Sequence, residues 1–410
     1  MFVASNSVPT PEIVWWALLP VIVFAVSGVL LLTISSLLKK EISWLAPGIS
    51  LTAGIFVLLS SIPMWNRIQN DGPISFLNNS VGTDSSTIFL TSLIAIALIS
   101  TSILARPYLS REGIPDLEFY VLLLLSAAGG VVMAGANDLI VLFLGIEILS
   151  IAVYVLVALH LRKIESQEAS IKYFLLGAFS SAFLLYGIAL VYGAVGTTNL
   201  VEIRNFLATS LLIEDGMLMI GFALMLVGLG FKVAVFPFHA WTPDAYQGAP
   251  TPVVIWMAAG VKVAGFAAIL RVFPLTFASY VNDWQIPLAV LSGLSVVFGS
   301  VVAVVQTNVK RMLAYSSIAH AGFILIGVQS SNMDGTSAVL FYLGVYTFLA
   351  SGSFAIATVV GGEGDSNHDL DAYKGLAKRK PALAALFTIL LLGQAGIPFC
   401  LLYTSDAADE

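Results

Sequence analysis

Residues Gly228–Arg271 read GLGFKVAVFPFHAWTPDAYQGAPTPVVIWMAAGVKVAGFAAILR, and this stretch decides the fold. It sets Lys232 and Lys262 inside two otherwise apolar segments, with Pro237, Pro243, Pro250 and Pro252 between them. A lysine at the middle of a bilayer costs roughly 2.5–3.5 kcal/mol on insertion scales. Interrupted backbone at membrane depth is tolerated only where protein or a water-filled cavity covers it. Buried lysines beside broken helix are the pattern of an ion or proton path.

Composition agrees. The chain is 58% hydrophobic and 10% charged, with mean hydropathy +0.95, whereas soluble domains carry about a quarter charged residues. An all-α polytopic membrane protein follows. The single cysteine, Cys400, excludes a disulfide framework, a thiolate zinc site or a ligated iron–sulfur cluster within the chain. Neither G-x-G-x-x-G nor a Walker lysine is present, and no basic run is interleaved with aromatics, so nucleotide and nucleic-acid binding lack support. No cofactor or metal site is expected.

Apolar windows of about 20 residues, enough to span ~30 Å of hydrocarbon, predict helices over Ile13–Leu38, Ser43–Trp65, Ser86–Ala105, Leu117–Ala136, Leu139–Leu161 and Ala169–Val195. Gly216–Trp241 follows, broken near Pro237, then Pro252–Phe273, Gln285–Val305, Met312–Ser330 and Thr336–Val360, with a twelfth helix beginning at Pro381. A weakly amphipathic piece, Leu200–Leu212, should lie on the surface. Alternate joins hold Lys39, Lys40, Arg106, Arg111, Arg162, Lys163, Lys172, Lys310, Arg311, Lys374, Lys378, Arg379 and Lys380, against only Arg67, Arg204 and Arg271 on the other side. The bias places the basic side in the cytoplasm and the N-terminus in the periplasm.

Three further groups carry chemistry. Glu147, in LIVLFLGIEILSIAVYVLVAL, must be neutral or paired at mid-membrane. It reads either as a carboxylate that biases the charge on Lys232 or as a structural glutamate hydrogen-bonded within the bundle; Lys232 reads as half of a proton switch with Glu147 or as half of a fixed ion pair with it. Lys262, flanked by small residues that allow close helix approach, reads as a relay lysine or as one snorkelling to the interface. His320 lies among Tyr315, Ser316 and Ser317, as a proton relay or a packing histidine. His239 and Asp244 bracket the turn after the break, at a pore exit or as loop caps. His368 falls in a charged loop expected to be solvated.

The VFPFH of the seventh span is echoed by GIPF at the twelfth, around Pro398, a pointer to inverted repeats of five helices. The expected division is 1–116 for the first three helices, 117–274 for a first repeat with the proton-input half-channel, and 275–399 for an incomplete second repeat. Residues Cys400–Glu410, CLLYTSDAADE, back-translate as a transposase sequencing adapter and are expected to be a non-native tail.

The segments FKVAVFPFHAWTPDAYQGAPTPV, KYFLLGAFSSAFLLYGIALVYGAVG and VKRMLAYSSIAHAGFILIG resemble the antiporter-like membrane subunits of respiratory complex I. The likeness runs from Leu117 to Phe399. It implies a fourteen-helix proton channel of a bacterial plasma membrane, without a redox centre of its own. The family's glutamate falls on Glu147, its two lysines on Lys232 and Lys262, and its histidine on His320. Its further lysine, a few residues beyond the Pro398 motif, has no counterpart here. The resemblance also implies partner membrane subunits and, elsewhere in the assembly, NADH, FMN, iron–sulfur clusters and quinone. A multicomponent cation/proton antiporter, the pump module of a membrane-bound hydrogenase and a structural anchor are the alternatives.

Overall fold

The computed structural model describes residues 11–37, 44–209 and 215–396; Pro398 and the tail Cys400–Glu410 lie outside the described residues. Eleven described helices are long and apolar enough to cross a membrane. They are α1 Trp15–Leu37, α2 Leu45–Asp71, α3 Ser85–Glu112, α4 Asp116–Gly135, α5 Leu139–Val157, α6 Ile164–Val195, α7 Gly216–Val233, α8 Thr251–Thr276, α9 Ala278–Val304, α10 Val309–Gln329 and α11 Met333–Gly361. A shorter apolar helix, α12, covers Pro381–Gln394. The expected eleven spans and the start of a twelfth are therefore present.

Boundaries moved where a proline was read too strongly or too weakly. Pro107 does not end α3, which continues to Glu112. Pro237 ends α7 earlier than expected, at Val233 instead of Trp241. A proline ring clashes with the carbonyl four residues back, and for Pro237 that carbonyl belongs to Val233. A two-stranded hairpin, β1 Ile74–Phe76 and β2 Val81–Thr83, occupies what the sequence suggested was plain loop. It is tied down by Asn137, whose N–H donates to Ser80 O, and by the Asn199 side chain, which donates to Asn79 O. The amphipathic piece is a helix over Leu200–Thr209 that buries Leu200, Ile203 and Leu207.

Packing sorts the helices by depth. The apolar window of α8 is wholly buried, whereas those of α1, α6 and α9 are mostly outward-facing. Rows such as Phe174, Phe179 and Tyr186 on α6 are exposed from the protein, as lipid contact permits. Close pairing uses glycine. A Cβ on Gly129 of α4 would lie 2.6 Å from Leu149 N and 2.8 Å from Gly145 O of α5. On Gly299 of α9 it would lie 2.7 Å from Ala319 N of α10. Two helix pairs five spans apart thus approach backbone to backbone in the same manner.

Candidate proton-relay site

The break after α7 is what opens this site. Ala234 adopts a left-handed backbone, φ 63°, and turns the chain out of the helix. Freed backbone groups find partners: Phe236 N–H donates to Ser295 Oγ of α9 at 2.9 Å, and Trp241 Nε1 donates to Phe231 O at 3.0 Å. A short helix, Thr242–Gly248, then leads to the Pro250-Thr251-Pro252 start of α8. Inside α8 a π-helical turn, Met257–Val261, comes immediately before Lys262. Such turns are rare and gather at functional sites.

Lys232 and Lys262 are only 5% and 3% exposed, and His320 is 3% exposed. None reaches outward, so Lys262 does not snorkel. Its ammonium donates to the carbonyl and hydroxyl of Ser317 on α10, and lies 5.3 Å over the Tyr346 ring of α11. One turn along α10, His320 Nδ1 is 2.7 Å from the Tyr342 hydroxyl. Tyr315 and Ser316, the neighbours expected from the sequence, do not hold it. Ser316 instead bonds Gln394 of α12 at 3.3 Å.

Lys232 is not held in the fixed ion pair that was one of its two readings. No ion pair within 4 Å joins it to Glu147. Its Nζ donates to Ser150 Oγ at 2.7 Å, and Ser150 in turn donates to Ile146 O. Glu147, partly buried, accepts a hydrogen bond from Ser181 of α6. Glu147 and the serine that holds Lys232 lie one turn apart on α5, and each ionisable group has a serine partner of its own. Ser150 was findable: it lies three residues after Glu147, on the same helix face.

The two lysines share a seam. A Cβ on Gly265, one turn beyond Lys262, would touch Lys232 Cγ at 3.5 Å and Val233 Cγ1 at 2.8 Å. The absent side chain lets the Lys232 stem pack against α8 one turn beyond Lys262.

His239 and Asp244 are not brought into this seam. His239 stacks on Phe236 at 5.3 Å and lies tilted against Phe298 at 4.8 Å. Asp244 pairs with Arg311 of α10 at 2.6 Å and Lys172 of α6 at 3.0 Å. Burial alone would raise its carboxyl, but the hydrogen bonds from Arg311 and Lys172 outweigh this and hold it below the usual carboxylate range.

The loop after α11 is the largest departure. His368 and Asp365 are buried, not solvated. The Asp365 carboxylate accepts from Tyr108 at 2.9 Å, Thr251 at 2.9 Å and His368 Nε2 at 2.7 Å, and pairs with Lys310 at 3.4 Å. Lys163 caps the Asp365 carbonyl at 3.1 Å. Burial would raise this carboxyl too; the Lys310 charge and the bond from His368 win and hold it far below the carboxylate range. Sequence patterning missed the cluster because a polar loop gives no periodic sign of burial.

A broken helix with a lysine on either side, inside an all-helical bundle, defines the antiporter type of membrane subunit. Residues 136–408 match the family described as NADH:quinone oxidoreductase/Mrp antiporter, transmembrane, and the chain belongs to that family. NADH-quinone oxidoreductase subunit N of Trichlorobacter lovleyi is 39% identical over 381 residues, 93% of this chain and 77% of that protein. A chain of respiratory complex I from Thermus thermophilus matches with TM-score 0.76 at 34% identity, over 92% of this chain and 79% of that one. A chain of the Mrp complex from Dietzia sp. matches with TM-score 0.81 at 21% identity, over 94% and 72%, a likeness of fold alone. The kinship with the complex I subunits expected from the sequence is borne out, and subunit N is the name its relatives carry.

Proposed function

We propose that this chain translocates protons as a membrane subunit of an NADH:quinone oxidoreductase, driven by quinone reduction in other subunits. The observation that carries the reading is the burial of two lysines on neighbouring helices, where Gly265, one turn beyond Lys262, meets the Lys232 stem. Protons pass from the basic side to Lys232, biased by the charge of Glu147 one turn from Ser150 on α5, then to Lys262 and on through Ser317 toward His320 and Tyr342. Glu147, Lys232, Lys262 and His320 are the relay; Pro237 shapes it by ending α7. His239 packs beside the break, and Asp244 ties α6 to α10. The chain supplies no redox group; NADH, FMN, iron–sulfur clusters and quinone belong to partner subunits. The membrane is the bacterial plasma membrane, with the N-terminus periplasmic.

Residues 117–274 form the first functional unit and 275–399 a second, after an N-terminal unit of 1–116. Supporting this division, the α4–α5 and α9–α10 pairs close through glycine in the same manner. The test is Lys232→Ala in the assembled complex. NADH-driven proton uptake by inverted vesicles should fall severalfold while subunit assembly is retained. Undiminished uptake in an assembled variant refutes the reading.

A further inference from the structure

Resting on the proton-translocation reading, we infer that the buried Asp365–His368–Lys310 cluster is a proton entrance on the basic side that feeds Lys262 directly, separate from the route through Lys232. Its mouth is His368, whose backbone neighbours Asn367 and Asp369 are exposed while its own ring is buried. An ionised carboxylate can only accept, so the 2.7 Å contact with Asp365 puts the proton of His368 on Nε2. Nδ1 is then a bare acceptor, and it is buried with no partner. A buried polar atom without a partner is a rarity that asks for a reason.

The cluster is wired inward. Lys310 Nζ touches Asp365 and donates to Ala249 O at 2.8 Å. Ala249 lies three residues after the buried Tyr246, whose hydroxyl lies near Ser317. Ser317 is the acceptor of the Lys262 ammonium. Lys310 and Ser317 lie seven residues apart on one buried face of α10, about 10 Å at 1.5 Å per residue. Tyr246 covers the inner part of that interval, and the outer part is within reach of a water-mediated step.

The transfer balances as one proton in and one out. His368 Nδ1 takes a proton from water, and its Nε2 proton passes to Asp365. Lys310 starts as an ammonium: it first releases a proton toward Tyr246, and the neutral amine then takes the proton from Asp365. The tyrosine and serine hydroxyls each pass one on, and a neutral Lys262 receives it. His368 resets by exchanging which nitrogen is protonated. The charged or titratable groups around the entrance are Asp365 on the same loop, Lys310 on α10, Lys163 before α6, Tyr108 on α3, and Tyr373. Burial, with the Lys310 and Lys163 charges, keeps the imidazole below its ordinary range, and the Asp365 bond only partly opposes this. A histidine that holds its proton briefly suits a relay more than a store.

The experiment compares His368→Gln and Tyr246→Phe in the assembled complex, with Lys262→Ala alongside. Glutamine can keep the donor to Asp365 but lacks a second protonatable nitrogen; phenylalanine keeps the ring and loses the hydroxyl. Because relay groups matter most when protons are scarce, NADH-driven proton uptake should fall about tenfold in either variant near pH 8.5 and by much less near pH 6. Uptake at the wild-type rate across that range in both variants overturns the entrance. So does an equal loss at every pH in both, which marks a structural role. If one variant fails to assemble, the other decides by the same criterion. Normal uptake in Lys262→Ala would sink the underlying translocation reading instead, whereas loss there with normal His368→Gln and Tyr246→Phe sinks only the entrance.

Discussion

Ser150→Ala removes the hydroxyl that receives the Lys232 ammonium at 2.7 Å. No other hydrogen bond to that ammonium is made within the described residues. A hydrogen bond to a buried charged group contributes about 1.5–3 kcal/mol. At 1.36 kcal/mol per tenfold, losing it shifts the balance against the charged lysine by roughly 10- to 150-fold. The lower end applies if the lysine stem swings one turn to reach Glu147 directly. Either way the ammonium loses its buried hydroxyl partner, and proton uptake should slow. The assay is NADH-driven acidification of inverted vesicles, read against NADH oxidation in uncoupled membranes to show that electron flow is intact. Ser150→Thr keeps the acceptor and should restore most of the rate. Adding Glu147→Gln to Ser150→Ala should cost more than the two single losses combined, because the fallback partner is also gone. Ser150→Ala vesicles that acidify at the wild-type rate would refute the reasoning, since Lys232 would then need no hydroxyl.

Asp365→Asn should destabilise the assembled protein by about 3–5 kcal/mol, the cost of leaving the buried Lys310 charge unpaired. Adding Lys310→Met should recover most of it, and thermal unfolding of the purified complex reads both. Because the Asp365 carboxyl sits below its ordinary range in the fold, its contribution is complete at neutral pH and is lost only as pH falls through the acid range, so the variant's deficit should shrink in acid. Gly129→Val should separate α4 from α5, since even a Cβ there would lie 2.6 Å from Leu149 N. Overpacking of this kind costs about 1–3 kcal/mol, measurable as a lowered unfolding midpoint, whereas valine at Gly293, which has open space around it, should be neutral.

Eleven spans, the lysine positions and the break near Pro237 were legible in the sequence. Each is a local property: the length of an apolar run against bilayer thickness, the cost of a charge within it, and the clash a proline makes four residues back. The basic bias is likewise a simple sum along the chain. What each buried charge touches was decided only in three dimensions. Ser150 is 82 residues from Lys232, and Ser317 is 55 from Lys262, so no window along the chain could pair them. The same holds for Asp365, which collects Tyr108 from 257 residues away and Thr251 from 114. A loop rich in charge looks solvated until four distant helix ends close over it. Hydropathy placed the ionisable groups in the membrane; helix packing chose a serine, not a carboxylate, as the neighbour of Lys232.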